Sequence, residues 1–177
     1  MSTLVKGGTQ ADYSDWILPL FEKYDGMLSI LVTNVPPRTF FERLGGTAST
    51  VSVNGLSSLS MLGPPRCVLV GLTPATGADG EALDGWSMVA EFGAMTMIAA
   101  AGLSAGGREV MGFYYNVGAA AFAWAIDGSK VIHYDLTQLE DPCSFAAALM
   151  TANTGVLLTP ELEHATFEAI AVPVPGL

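Results

Sequence analysis

Hydrophobic and polar positions alternate most regularly between Gly85 and Asp135. Apolar residues recur at every second position from residue 86 to residue 92, which is typical of a half-buried strand. Residues 108–117 are rich in aromatic and β-branched side chains, which favour a pleated sheet. Residues 119–135 form two more extended runs around Asp127-Gly128, a dipeptide typical of a two-residue hairpin turn. The stretch therefore predicts an antiparallel meander at the centre of the fold.

Other periodicities predict helices and strands on both sides of this meander. Helical spacing of apolar residues, with Pro37 and Asp141-Pro142 as helix starts, indicates several helices. Short apolar runs indicate further strands, and residues 55–65 and 75–84 are expected to be loops. The predicted helices cover residues 16–24, 37–44, 94–102, 142–154 and 160–170, and the additional strands cover residues 27–33 and 67–72. Residues 47–54 are expected to be a strand or an extended segment.

The hairpin turn also predicts a register. If Asp127-Gly128 forms the turn, Phe122 lies opposite His133 and Trp124 lies opposite Val131. Neither face of the hairpin is polar, so the pattern leaves open which one meets solvent. A row of alanines on one face either lets a helix approach closely or leaves a shallow groove. One face is predicted to bear Phe122, Trp124, Ile126, Val131 and His133, and the other Ala121, Ala123, Ala125, Ile132 and Tyr134.

These elements predict the fold class and the domain organisation. We expect an α+β fold with a mainly antiparallel sheet of about five or six strands and helices packed on its faces. A chain of 177 residues is long enough for one substantial domain and short for two. Residues 12–177 are expected to form this domain, and residues 1–11, which are small and polar, to be disordered.

The hydrophobic fraction and the net charge indicate which classes of partner the chain could bind. Half of the residues are hydrophobic and 14% are charged, so apolar surface is expected to remain for a partner. Self-association is the commonest use of such surface, and the sequence predicts a homo-oligomer, most simply a homodimer. The net charge of −10 repels phosphate backbones and disfavours nucleic-acid binding. An acidic chain is compatible with a basic protein partner, but solubility explains the acidity equally well.

The chain shows no targeting or membrane signal. Its first 15 residues lack the apolar core of a signal peptide. The longest apolar run, residues 92–103, is shorter than the roughly 20 residues that a membrane span needs. We therefore expect a cytoplasmic protein that does not enter a membrane.

Several motifs carry a resemblance to a known family. They are Trp16, the segment PPRTFFERLGG, the strand GWSMVAEF, the pair Asn116-Val117 and the segment FAWAIDG. With them, the region from about Trp16 to about Gly155 resembles a domain of unknown function found widely in actinobacterial genomes. The resemblance implies an α+β domain and supplies no activity and no catalytic residues. Residues 93–107 are more apolar here than the family pattern.

Candidate chemistry is sparse. His133 and Asp135 lie two apart, on one face of a strand, where they could act as an acid–base pair or as two ligands. The alternative is a histidine packed beside Phe122 and an aspartate that ends a strand. Cys143, in the first turn of a helix, is expected to have a somewhat lowered pKa, although a packed structural thiol explains it better. The sequence predicts no catalytic residue, no cofactor and no metal site.

The aromatic residues of the meander are the remaining candidates. Consecutive residues 113–115 point to alternate faces, so at least one aromatic ring meets a covering helix or a partner. The candidate ligand or interface residues are Tyr114, Tyr115, Trp124, His133 and Asp135. We interpret the chain as a non-catalytic protein-interaction module of regulatory or immunity type. The alternative is a small-molecule-binding or enzymatic domain with a pocket near Trp124 and His133.

Overall fold

A computed structural model describes residues 12–24, 27–45, 49–61 and 66–174. The prediction for residues 1–11 lies outside these ranges. Within them, eight strands form one antiparallel sheet in the order β2-β8-β3-β4-β1-β5-β6-β7. The strands are β1 Leu28–Thr33, β2 Val51–Asn54, β3 Cys67–Thr76, β4 Ala82–Phe92, β5 Glu109–Asn116, β6 Ala119–Ile126, β7 Ser129–Asp135 and β8 Thr166–Pro173. The helices are α1 Ile17–Lys23, α2 Pro37–Arg43, α3 Gly55–Met61, α4 Met95–Leu103 and α5 Pro142–Thr154, with a short 3-10 helix at Pro160–His164.

Helices cover both faces of the sheet and bury two separate cores. Helices α1, α3 and α5 pack on one face, where the Phe21 ring stacks on the Phe113 ring at 4.9 Å between centroids. Helices α2 and α4 pack on the opposite face, where Phe40 and Leu103 are buried against Leu31. We call these the α5 face and the α4 face. The predicted α+β class, with helices packed on the faces of a mainly antiparallel sheet, is therefore confirmed.

The predicted number of strands is wrong, because the sheet has eight rather than five or six. The main cause lies at residues 160–170, which were predicted to be a helix. Only Pro160–His164 is helical, as a 3-10 turn, and β8 then inserts between β2 and β3. In β8 the buried Phe167 and Ala169 face α5 and the buried Ile170 faces α4, which is a strand alternation. The spacing of these apolar residues also fits a helix. Pairing with neighbouring strands in the sheet is what makes this segment a strand.

Two predicted loops are wrong in extent. The segment from Gly55 begins with α3, which buries Leu56 and Leu59 against the α5 face. The predicted loop at residues 75–84 shortens because β3 runs on to Thr76 and β4 begins at Ala82. These strand extensions pair with each other, so tertiary pairing overrides a glycine-rich and aspartate-rich local sequence.

The predicted helix starts are confirmed where a local signal was present. Pro37 occupies the first turn of α2. Asp141 caps α5, since its Oδ1 atom accepts a hydrogen bond from the Ser144 N–H at 2.9 Å. Gly155, with a φ of 77°, ends that helix in the left-handed conformation. Between these caps, α5 packs on β5 of the predicted meander.

Candidate functional site

The hairpin of β6 and β7 turns at Asp127-Gly128, as predicted. Both residues have positive φ angles, 46° and 84°, which a two-residue hairpin turn of type I′ requires. Two side-chain contacts fix the turn: Asp127 Oδ1 accepts from the Gly107 N–H at 2.8 Å, and the Gly128 N–H donates to Ser104 Oγ at 3.0 Å. The hairpin is thereby attached to the loop that follows α4.

A bulge at Val131 changes the register beyond the turn. Ala125 pairs with Lys130, whereas Trp124 pairs with Ile132, so that Val131 is an extra residue in β7. His133 consequently lies opposite Ala123 and not opposite Phe122. The predicted pairing of Phe122 with His133, and that of Trp124 with Val131, are both wrong. Since one residue of shift exchanges the faces of a strand, His133 joins the alanines of the α4 face.

The five candidate residues are divided between the two faces of the sheet. Tyr114, His133 and Asp135 belong to the α4 face, because their partners in β6 are Ala121 and Ala123. The pair of His133 and Asp135 thus shares one strand face, as expected. Tyr115 and Trp124 belong to the α5 face.

Both candidates on the α5 face have structural contacts. The Tyr115 ring meets the Phe21 ring edge-on at 6.3 Å between centroids. Trp124 Nε1 donates to Glu109 Oε2 at 3.2 Å. A single pocket beside both Trp124 and His133, the predicted location of a ligand, does not form because the two side chains lie on opposite faces of the sheet.

A shallow groove lies on the α4 face, between α4 and β7. The alanines of β6 carry no bulk beyond Cβ, and α4 covers only part of them, so an open depression of about 180 Å³ remains. Ile98 on α4 is 75% exposed at this groove. The alanine row therefore both admits a helix and leaves a groove. The groove is lined by Ala94, Met97, Ile98, Tyr114, Ala121, Ala123, Lys130 and His133.

A row of four polar side chains, interrupted by one alanine, crosses the α4 face next to this groove. Glu91, Ser29, Tyr114, Ala121 and Asp135 are successive cross-strand neighbours from β4 to the edge strand β7. The Glu91 carboxyl is fully buried, and burial raises its pKa from 4.5 to about 7. Its Oε1 atom accepts from the backbone N–H at the start of α4, and its Oε2 atom is without a hydrogen-bond partner.

Sequence reasoning missed Glu91. Period-two alternation grouped it with Ser87 and Val89 on the more polar side of β4. That side is covered by α4 instead of water, as Val89 within the same set indicates. The signal that could have identified Glu91 is its position on the same strand face as Val89. In a sheet covered on both faces, an acidic residue on that face is expected to be buried.

Edge strand β7 is the most exposed regular element of the described chain. Six of its seven residues are exposed, and the described strands place no neighbour on its outer side. The Leu136 N–H, at the end of β7, donates to Ala120 O at 2.8 Å. Since alternate residues of an antiparallel pair point their backbone groups in the same direction, those of Tyr134 also point toward β6. The backbone groups of His133 and Asp135 point outward.

The two cysteines lie on separate elements, β3 and α5. Cys143 is fully buried in the first turn of α5. Burial raises the pKa of its thiol, with the nearby charge of Asp141 adding to the effect, so the expected lowering is wrong. Cys67 is partly buried at the start of β3. A packed structural thiol is the description that fits Cys143.

No cluster of three or more His, Cys, Asp or Glu side chains in the described ranges is placed to hold a metal ion. Helix α5, with 13 residues, is the longest in this part of the chain, and none of these helices has the length and apolarity to cross a bilayer.

The chain matches no protein-family model, no curated protein and no solved structure. The resemblance to the actinobacterial domain stays a prediction.

Proposed function

We propose that this chain is a cytoplasmic, non-catalytic protein-interaction module of regulatory or immunity type, and that it binds an extended segment of a protein along β7. The observation that carries the proposal is the open edge of this strand, where the backbone groups of His133 and Asp135 point outward. An unpaired strand edge is a template for another strand, and backbone hydrogen bonds supply affinity in such complexes.

Side chains at this edge suit a protein partner. Tyr134 is 47% exposed and Val131 is 50% exposed, so apolar surface accompanies the open backbone. Tyrosine is favoured at interfaces because it combines a large apolar ring with a polar tip. A segment paired with β7 would also place alternate side chains beside the groove, where Ile98 and His133 can contact them. Pockets for alternate side chains are what give such complexes specificity.

The opposite edge of the sheet is a weaker candidate. Strand β2 has four residues, whereas β7 has seven, so fewer backbone hydrogen bonds are available there. Helix α3 follows β2 directly and packs against β8 and β4. These features favour β7 as the interaction edge.

A proline at position 133 tests the proposal. His133→Pro removes an outward N–H, and proline is tolerated in an edge strand where the missing N–H faces solvent. His133→Ala is the matched control, because it removes the side chain and keeps the N–H. Because the two variants both lack the histidine side chain and differ in the outward N–H, we expect His133→Pro to capture far less of the lysate proteins than His133→Ala does, at unchanged melting temperatures. Equal capture by His133→Pro would contradict binding along this edge.

The groove supports a second candidate function, the binding of a small molecule. Its floor is apolar, while Lys130 and His133 supply polar groups at its rim, an arrangement common in ligand sites. Ala121→Phe would fill this groove without altering the edge backbone. A metabolite that copurifies with the wild-type chain and is lost with Ala121→Phe, in the absence of any captured protein, would favour this candidate over the first.

A further inference from the structure

We infer that the segment bound along β7 is β7 of a second copy of this chain, paired antiparallel about a two-fold axis at Tyr134. The inference rests on the proposed function, because it assigns a partner to the same edge. The observations behind it are the direction of the backbone groups, the order of charges along the strand and the position of the bulge.

Two-fold symmetry restricts the registers in which β7 can pair with itself. An axis perpendicular to the sheet keeps each side chain on its own face, so paired residue numbers must add to an even total. An axis at His133 would place that residue opposite itself, and an axis at Asp135 would place two aspartates together. An axis at Tyr134 instead pairs His133 with Asp135 of the second copy, twice.

The register with Tyr134 on the axis suits both the side chains that face each other and the backbone groups that point outward. His133 and Asp135 both direct their backbone groups outward, so they can form a hydrogen-bonded pair across the interface. Their side chains share the α4 face, where the His133 imidazole of each copy would face the Asp135 carboxylate of the other. Each opposite-charge cross-strand pair contributes roughly 0.2–1 kcal/mol, and like charges in the same positions are unfavourable. Of the registers centred on His133, Tyr134 and Asp135, this one alone places a histidine opposite a carboxylate.

The second face of the same register buries aromatic surface. Tyr134 stacks on Phe122 at 6.3 Å between ring centroids and remains 47% exposed. On the two-fold axis, the Tyr134 rings of both copies would lie side by side and cover each other. Non-hydrogen-bonded pairs bring side chains closest together, which suits this contact.

The bulge and the strand end limit the paired segment to about five residues, 132–136. Val131 interrupts the regular edge on one side, and at the other the chain leaves the strand after Asp135, whose Oδ1 atom accepts from the Thr137 N–H at 2.9 Å. So short a contact indicates a closed dimer of modest affinity, in the range of small transient interfaces. The β7 edge of each copy is covered when the dimer forms, so a third copy cannot add along this strand.

Charge reversal on either residue tests the register. His133→Asp places two carboxylates opposite each other at both pairs, and Asp135→Lys places a lysine opposite histidine. Ser129→Asp is the matched control, because it adds a negative charge to β7 outside residues 132–136. By sedimentation equilibrium across a wide concentration range, we expect each of the two reversals to raise the dimer dissociation constant about tenfold or more, and Ser129→Asp to change it less than about twofold.

Mixing the two reversals gives the sharpest result. A His133→Asp chain and an Asp135→Lys chain are complementary at both pairs. The mixture should therefore form a heterodimer, whereas each variant alone should form little homodimer. Native mass spectrometry resolves the heterodimer, and melting temperatures show whether each variant is folded. Recovery of the heterodimer supports the inference.

Two results would overturn this inference. One is a wild-type chain that remains monomeric up to millimolar concentration. The other is a dimer that folded His133→Asp and Asp135→Lys variants leave unchanged, since the copies would then meet elsewhere. A monomeric chain whose captured partner is still lost with His133→Pro would leave the proposed function standing and refute only the second copy as its partner.

Discussion

Glu91 and Thr96 connect the sheet to the start of α4. The Thr96 N–H donates to Glu91 Oε1 at 3.0 Å, and both residues are fully buried. The Ala94 cap supplies no side-chain hydrogen bond, so the carboxyl of Glu91 takes the place of a capping side chain. Helix α4 forms one wall of the groove, and this contact positions it.

The buried carboxyl predicts a pH dependence of stability. Because burial raises the pKa of Glu91 from 4.5 to about 7, the folded chain holds this proton more tightly than the unfolded chain. The free energy of unfolding should therefore fall as pH rises from about 4.5 through about 7, by about 3 kcal/mol from this group. Glu91→Gln keeps an acceptor for the N–H and removes the titration. We expect it to lose this dependence and to exceed the wild type in stability near pH 8, measured by urea denaturation.

The exposed Glu168→Gln is the matched control for that experiment, since it removes a carboxylate from strand β8 at the surface. It should retain the wild-type pH dependence. A Glu91→Gln variant with the full wild-type slope between about pH 5 and pH 8 would contradict the assignment.

Close packing at Gly112 predicts a large effect for one added methyl group. A Cβ atom there would lie 2.4 Å from Leu31 Cγ and 2.7 Å from Ile30 O. Gly112→Ala should cost at least about 1–3 kcal/mol of unfolding free energy, because the backbone of β1 cannot move away. Gly102→Ala, in α4, meets no atom within 4 Å and should stabilise by about 0.5–1 kcal/mol through helix propensity. Chemical denaturation of both variants checks the contrast, and similar effects at the two positions would refute it.

The bulge at Val131 predicts that His133 is dispensable for stability. On the α4 face it is exposed, so His133→Ala should change the unfolding free energy by less than about 0.5 kcal/mol. Phe122→Ala, one strand away and 1% exposed, should cost about 3–5 kcal/mol. A loss of more than about 2 kcal/mol on removing the histidine would favour the register without a bulge, in which it packs beside Phe122.

Local signals in the sequence predicted the elements that they control directly. Pro37, Asp141-Pro142 and Asp127-Gly128 act through their own backbone and capping preferences, and the structure confirms the two helix starts and the turn. The alternation of residues 113–115 between faces also follows from strand geometry alone. Fold class and the aromatic meander were predictable for these reasons.

Features that depend on distant contacts were not predictable. Residues 166–173 carry apolar spacing that fits a helix or a strand, and pairing with β3 and β2 selects the strand. No residue in β7 marks Val131 as a bulge, yet this one extra residue decides which face receives His133. The groove itself arises where α4 stops short of β7, which is a property of tertiary packing.

Amide hydrogen exchange along β7, followed by NMR at micromolar and at millimolar protein concentration, tests the central claim that this strand is an open interaction edge. At low concentration we predict protection at Ile132, Tyr134 and Leu136, which point toward β6, and fast exchange at His133 and Asp135. At high concentration the outward amides should become protected as well. Protection of His133 and Asp135 in the dilute monomer, or exchange at these two amides that is unaffected by concentration, would contradict the account.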